Sequence, residues 1–265
     1  MNAEALALAV DALRPHLTSV AVISARLVPV AFLCPLFGGS HAPTHVKLGT
    51  VLALACFLHS AAGIAVPLVT TTPDLLALVG RELVFGLSLG LIAALPFDIA
   101  RMGGRFIDLF RGSSAEAALP MAGTKESATG DGLYHLLLAL GCVGFVWPAM
   151  IGALTRSYAL VGLGQFQQTE ALALELVRIV GEAFATGFAI GAPVAALALA
   201  IDLGLGLASR GAGSLNLKEN GAPVRILAGG AMVWLGVAVL ASRLQDLALH
   251  HADLMNDLGQ LAAGR

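Results

Sequence analysis

Charge is scarce in this sequence. Only 12% of its 265 residues are Asp, Glu, Lys or Arg, against roughly a quarter in a soluble domain, while 57% are hydrophobic. With a mean hydropathy of +0.85, such a chain belongs in a membrane or hides equivalent apolar surface inside an assembly. Lysine is scarcer still, with Lys47, Lys125 and Lys218 alone, and the net charge is -2. That balance argues against nucleic acid as a partner, because neutralising phosphates takes clustered Lys and Arg. Each lysine follows Val46, Thr124 or Leu217 rather than glycine, so no Walker A nucleotide site exists. The three cysteines, Cys34, Cys56 and Cys142, lie in apolar stretches without paired or ligand-like spacing and read as small hydrophobes. His41 with His45, and His250 with His251, lack a third ligand of suitable spacing, so no metal or other cofactor is expected.

Apolar residues are abundant, in six stretches at 18–37, 46–69, 75–97, 133–154, 183–201 and 226–241. Lengths near ~20 residues let each span a bilayer, the last marginally. Lys and Arg number eight in the odd loops and six in the even loops and termini, a small lean toward odd loops in the cytoplasm. Arg26 strains a simple spanning scheme, since a charge at mid-bilayer depth costs at least about 2.5 kcal/mol and ordinarily faces a protein interior. Pro29, Pro35, Pro96, Pro148 and Pro193 leave backbone groups for neighbouring helices to satisfy. Gly86-x-x-x-Gly90 and Gly187-x-x-x-Gly191 permit close approach of helix backbones. Glu4 and Asp11 stand where a signal peptide carries early positive charge, so cleavage is not expected; a short amphipathic helix against the first span is. Glu175, Arg178 and Glu182 share a helical face that reads as solvated. Leu244, Leu247, His251, Leu254, Leu258 and Leu261 form an apolar stripe expected to dock on a partner or at the membrane interface.

The stretch from 81 to 120 changes character midway. Residues 83–95 hold one polar side chain, Ser88, whereas Asp98, Arg101, Arg105, Asp108 and Arg111 follow Pro96 at i,i+3 and i,i+4 spacing. Gly112-Ser113-Ser114 then opens a small-residue loop ending at Pro120. A greasy helix feeding a charged helix and a loop suits a wall with a movable constriction. Gly86-Leu87-Ser88-Leu89-Gly90 matches the nucleophile-elbow pattern, but that motif needs a strand, a sharp turn and a helix, so close helix packing is the better reading. Glu82 and Asp202 are carboxylates at membrane depth or its edge, expected either to couple protons or to pair with Arg81 or Arg210. A secondary transporter with helices broken near Pro96 and Pro193 is a rival reading, as is an intramembrane hydrolase built on Ser88.

Five patches resemble the T/R subunit family of the type III secretion export apparatus (SctT/SpaR/YscT in injectisomes, FliR in flagella). They are 26–47, RLVPVAFLCPLFGGSHAPTHVK; Glu82, Gly86 and Gly90; Gly104 to Asp108 with Arg111, Gly112 and Pro120; Ser114-Ala115-Glu116 with Gly130-Asp131-Gly132; and Pro193, Asp202, Gly206, Arg210, Leu215-Asn216, Gly221 and Pro223-Val224-Arg225. The fourth patch lies nearer the injectisome branch. Gly213-Ser214 departs from the family's Pro before Leu-Asn, and Arg225 replaces a usual Lys, which bears on the rigidity of that loop. The resemblance implies an all-α, integral membrane, non-enzymatic export-gate protein. An R-like part (1–165) would precede an S-like hairpin and C-terminal amphipathic helix (166–265). Implied partners are the R and S subunits, the U-type switch subunit, the V-type export-gate subunit, unfolded exported proteins and lipid, in the bacterial inner membrane within a basal body. Gly112, Ser113, Ser114, Glu116 and Pro120 would belong to a plug loop; Arg26, Glu82, Asp98, Arg101, Arg105, Asp108, Asp202 and Arg210 would be structural charges. The last two belong to a segment, 202–225, implied to face the cytoplasm near the switch subunit.

Overall fold

Where water is excluded, a helix satisfies its own backbone N–H and C=O groups, and a chain this apolar has few alternatives. A computed structural model of the protein covers residues 3–38, 42–64, 71–112, 116–117, 126–211 and 217–264. Among these, seven α-helices carry almost all the regular structure: α1 Ala3–Leu33, α2 Thr44–Ala61, α3 Thr72–Arg111, α4 Ala128–Val143, α5 Val146–Leu160, α6 Glu170–Gly211 and α7 Leu217–Ala262. A 3-10 turn at Pro35–Phe37 follows α1, and β1 (Glu116–Ala117) pairs antiparallel with β2 (Glu126–Ser127), Glu116 opposite Ser127. The protein is all-α in class, as expected; the ladder is two residues long.

Two compact units divide the chain. The first takes Met1–Ala94, Gly144–Ile179 and Leu249–Arg265; the second takes Leu95–Val143 and Val180–Ala248. In the first, α1 crosses α3 with backbones in contact. A Cβ at Gly86 would stand 2.8 Å from the Arg26 carbonyl carbon, and one at Gly90 3.0 Å from Val30 Cα. Ile23, Leu27 and Val30 of α1, Phe85, Leu89 and Ile92 of α3, and Met150 and Leu154 of α5 are buried. In the second unit the later part of α3 takes the same role. Gly103 abuts Ile190 of α6, Gly104 abuts Gly130 of α4, and Gly187 and Gly191 of α6 face Met102 and Phe106. Both glycine spacings are thus helix contacts made by α3.

The spans differ from the six apolar stretches. Four helices of the covered residues are long and apolar enough to cross a membrane: α1 from residue 12, α3, α6 and α7. α4 and α5 make a fifth if counted as one broken span. The stretch 133–154 breaks at Gly144-Phe145 because Pro148 lacks an N–H and its ring would strike the carbonyl four residues back. It therefore sits in the first turn of α5. By contrast α3 and α6 run unbroken through Pro96 and Pro193, which removes the broken helices a transporter would need there. The N-terminal segment is no separate amphipathic helix but the start of α1, continuous through Pro15 and Pro29. The C-terminal stripe is likewise part of α7 and packs within the chain. Leu254, Met255 and Leu258 are buried, and a Cβ at Gly259 would lie 3.0 Å from Leu160 Cδ1.

Of its most apolar stretch, α3 buries 72%, but α6 only 17% and α7 6%, so among the described residues the apolar faces of the last two helices are left largely uncovered. Trp234 and Leu235 of α7 and Phe184 of α6 are more than half exposed.

The glycine contacts are unequal, which sets a test. At Gly86 an added methyl meets backbone, whereas at Gly187 it meets the flexible end of Met102. Gly86→Ala should cost on the order of 2 kcal/mol or more and lower the membrane level of the chain, with Gly187→Ala much milder. Quantitative immunoblotting with a protease-resistance assay reads the difference.

Candidate functional site

The most deeply buried polar group is also the least expected in an apolar helix. Arg26 sits in the last third of α1 with no exposed surface, and Glu82 of α3 is equally buried. Arg26 Nε donates to Glu82 Oε2 at 2.6 Å. Its Nη1 donates to the Ser157 carbonyl (2.9 Å) and hydroxyl (3.3 Å), and Nη2 to the Val161 carbonyl (3.0 Å). These carbonyls lie at the C-terminal end of α5, where the backbone dipoles favour positive charge; the Ser157 carbonyl also accepts the Val161 N–H at 2.9 Å. Glu82 Oε1 accepts the Gly164 N–H at 2.8 Å. The guanidinium lies over Tyr158 and Phe85, 4.2 and 4.8 Å from the ring centroids, and Tyr158 donates its hydroxyl to the Ile23 carbonyl at 2.9 Å. One side chain therefore ties α1, α3, α5 and the 161–164 segment together.

The expected partner of Glu82 needs correction. Arg81 is adjacent in sequence and points away, since i,i+1 residues on a helix do not face each other; it donates to the Gly164 carbonyl at 3.3 Å. The same correction applies at Asp202, which receives Arg225 Nη1 at 2.5 Å across α6 and α7. Arg210, two helical turns from Asp202, is exposed in the last turn of α6.

A second cluster forms where α4 starts beside α3. Asp108 is buried and accepts three hydrogen bonds: from Ser127 Oγ (2.5 Å), the Thr129 N–H (2.9 Å) and Thr129 Oγ1 (2.6 Å). Ser127, the residue before α4, also accepts the Gly130 N–H at 3.0 Å, an N-cap bond. Arg111 approaches Asp108 at 3.9 Å. Arg101 is half-buried, 3.5 Å from Asp131 of α4 and stacked 4.1 Å over the Tyr134 ring. Asp98 and Arg105 are exposed. The charged half of α3 is thus spent partly on α4 rather than on pairs within its own helix.

Of the loop residues, Gly112 is covered: its φ of +69° is the left-handed conformation that glycine adopts at a helix end, and it terminates α3. Glu116 lies in the two-residue ladder, while Ser113, Ser114 and Pro120 fall outside the covered residues. Ser88 Oγ donates to the Val84 carbonyl at 3.1 Å in mid-helix, far from the strand and turn of a nucleophile elbow. Among the covered residues, no three His, Cys, Asp or Glu side chains come together as metal ligands. Ser157, Tyr158, Phe85, Ser127 and Thr129 escaped sequence reasoning. So did a bond between His16 Nδ1 and His59 Nε2, 2.9 Å apart.

These features define a multi-pass helical membrane protein whose buried charges hold its helices together. More specifically, the chain belongs to the bacterial export proteins, family 1, whose pattern matches residues 17–250. Relatives include the flagellar biosynthetic protein FliR of Bacillus subtilis (strain 168), 25% identical over 78% of this chain and 81% of its own length. FliR of Aquifex aeolicus (strain VF5) is 26% identical over 83% and 86%. The Yop proteins translocation protein T of Yersinia pestis is 28% identical over 68% and 70%. The family is that of type III export and flagellar biosynthesis components, which places the chain among the membrane proteins of bacterial export complexes.

Removing one member of the Arg26–Glu82 pair leaves an uncompensated buried charge. Arg26→Ala and Glu82→Ala should each destabilise by about 3–5 kcal/mol. Arg26→Lys should not rescue, because one ammonium cannot reach the three directions the guanidinium fork serves. The combined substitution should stay destabilised, because the Val161 carbonyl and the Gly164 N–H lose their side-chain partners too. Thermal melts of the detergent-extracted protein check all four.

Proposed function

We propose that this chain is a core inner-membrane subunit of a type III export gate, of the injectisome kind, that helps form and seal the channel through which unfolded proteins leave the cell. The observation that carries this reading is the contrast between a buried α3 and the uncovered apolar faces of α6 and α7, in a member of an export family. Related R and S subunits would cover those faces, residues 1–165 acting as the R-like part and 166–265 as the S-like hairpin. The U-type switch subunit would meet the 202–225 segment, where Asp202 and Arg225 are paired, and the V-type subunit would complete the gate. The complex would sit within a secretion-system basal body.

The role is non-enzymatic: energy would come from a separate ATPase and the proton gradient. Arg26 and Glu82 pair with one another inside the chain, which suits a structural role. Residues 112–120, Gly112, Ser113, Ser114, Glu116 and Pro120 among them, would form the plug that seals the resting channel. Asp98 and Arg105, exposed on α3, would stand at its edge. The unbroken helices at Pro96 and Pro193 weigh against a small-solute transporter.

Deletion of residues 113–119 should raise the resting conductance of membranes containing the assembled complex while the amount of complex stays unchanged. Unaltered conductance with normal assembly would remove the plug assignment.

A further inference from the structure

We infer that His16 and His59 form a binding site for a divalent first-row transition metal, zinc or copper, with one imidazole nitrogen from each as its protein ligands. The two residues stand 43 positions apart, and the packing of α1 on α2 brings His16 Nδ1 within 2.9 Å of His59 Nε2. The rings meet edge to face, with centroids 5.2 Å apart. His16 is exposed and His59 half-buried, so an ion can reach the pair from the surface.

The tautomer of His59 follows from its neighbours. α2 ends at Ala61, and Gly63, with a left-handed φ of +64°, turns the chain so that the Ile64 carbonyl lies 2.8 Å from His59 Nδ1. A carbonyl only accepts, so Nδ1 carries the proton and, on a neutral ring, Nε2 carries a lone pair facing His16. A backbone carbonyl on the far ring nitrogen is the usual companion of a metal-bound histidine, because it fixes the ring and raises the basicity of the ligating nitrogen. His16 can meet the His59 lone pair with an Nδ1–H, or hold its own lone pair toward a metal ion set between the rings.

The spacing suits such an ion. Two Zn–N bonds of about 2.05 Å at a tetrahedral angle set the nitrogens about 3.3 Å apart, so from 2.9 Å the rings need separate by only about 0.4 Å. Imidazole nitrogen suits zinc and copper, whereas magnesium and calcium want oxygen ligands. Cys56, one turn before His59 on α2, does not complete a thiolate site, since among the described residues no three His, Cys, Asp or Glu side chains converge. Water fills the remaining positions, which makes the site open and exchangeable rather than closed. Its effect is a staple: the bound ion joins the early part of α1 to the end of α2 and stabilises that pairing by mass action.

The test uses the full chain in its detergent-extracted complex, free of any polyhistidine tag, with zinc and copper(II) chlorides as probes. The site variants are His16→Gln and His59→Gln, and His45→Gln, exposed in the first turn of α2, is the control. The electron paramagnetic resonance spectrum of copper-loaded wild type, minus that of either site variant, should show one ion per chain coupled to two imidazole nitrogens, and zinc should displace it. Either site variant should weaken copper binding by about tenfold or more, at least the loss that removing an outer-shell partner brings. Saturating zinc should slow hydrogen exchange at amides 57–61 in wild type and the control, and not in the site variants. Equal copper binding in wild type and both site variants would overturn the site. Unchanged exchange in zinc-loaded wild type would overturn the staple, and that measurement needs no variant should either fail to assemble.

Discussion

A guanidinium removed from water must recover what hydration supplied, and Arg26 does so with a carboxylate, two backbone carbonyls and two aromatic faces. The desolvation cost of a buried ion pair is several kcal/mol per ion, so its value here lies in geometry more than in net stabilisation. The acceptors come from two places distant in sequence, Glu82 of α3 and the C-terminal end of α5 at Ser157 and Val161, and the donors fan out in the fixed plane of one side chain. Only one arrangement of α1, α3 and α5 satisfies all of them. Gly86 and Gly90 follow from that arrangement, because the guanidinium reaches Glu82 only where α1 and α3 touch backbone to backbone.

The Asp108 cluster applies the same logic with fewer charges. There the carboxylate is satisfied by donors at the start of α4, and the nearby Arg101 couples to Asp131 and Tyr134 of the same helix. In both places charge on α3 orders a neighbouring helix or turn. What remains for the environment is apolar: the outer faces of α6 and α7, with Leu199, Leu203, Phe184, Trp234 and Leu235 uncovered. That combination, an interior that holds its own shape and an apolar exterior, fits the proposed role of an export-gate subunit.

Helical class, Arg26 as an interior charge and the two glycine spacings were all legible in the residues, since each follows from local chemistry. The pairings were not. Glu82 has Arg81 beside it in sequence, yet helix geometry alone rules that contact out, and no periodicity announces an arginine 56 positions earlier. Asp202 and Arg210 stand about two turns apart on a helix, roughly 12 Å at 1.5 Å per residue, beyond the reach of a tight pair. Hydropathy read the apolar stretches as independent spans because it counts side chains without asking what they face. It therefore cut α7 from its buried C-terminal end and joined α4 to α5 across a proline-induced break. Ser127 and Thr129 carried no signal beyond being small and polar, and their role appears only when Asp108 is placed opposite them.

The central claim is that this chain keeps its charges for itself and offers its outer helices to sister subunits. Photoreactive residues at positions 234 and 235, introduced in living cells, test it directly. The account predicts discrete protein adducts whose masses identify other export-apparatus subunits. Adducts to lipid alone, from a complex assembled at normal yield, would contradict it.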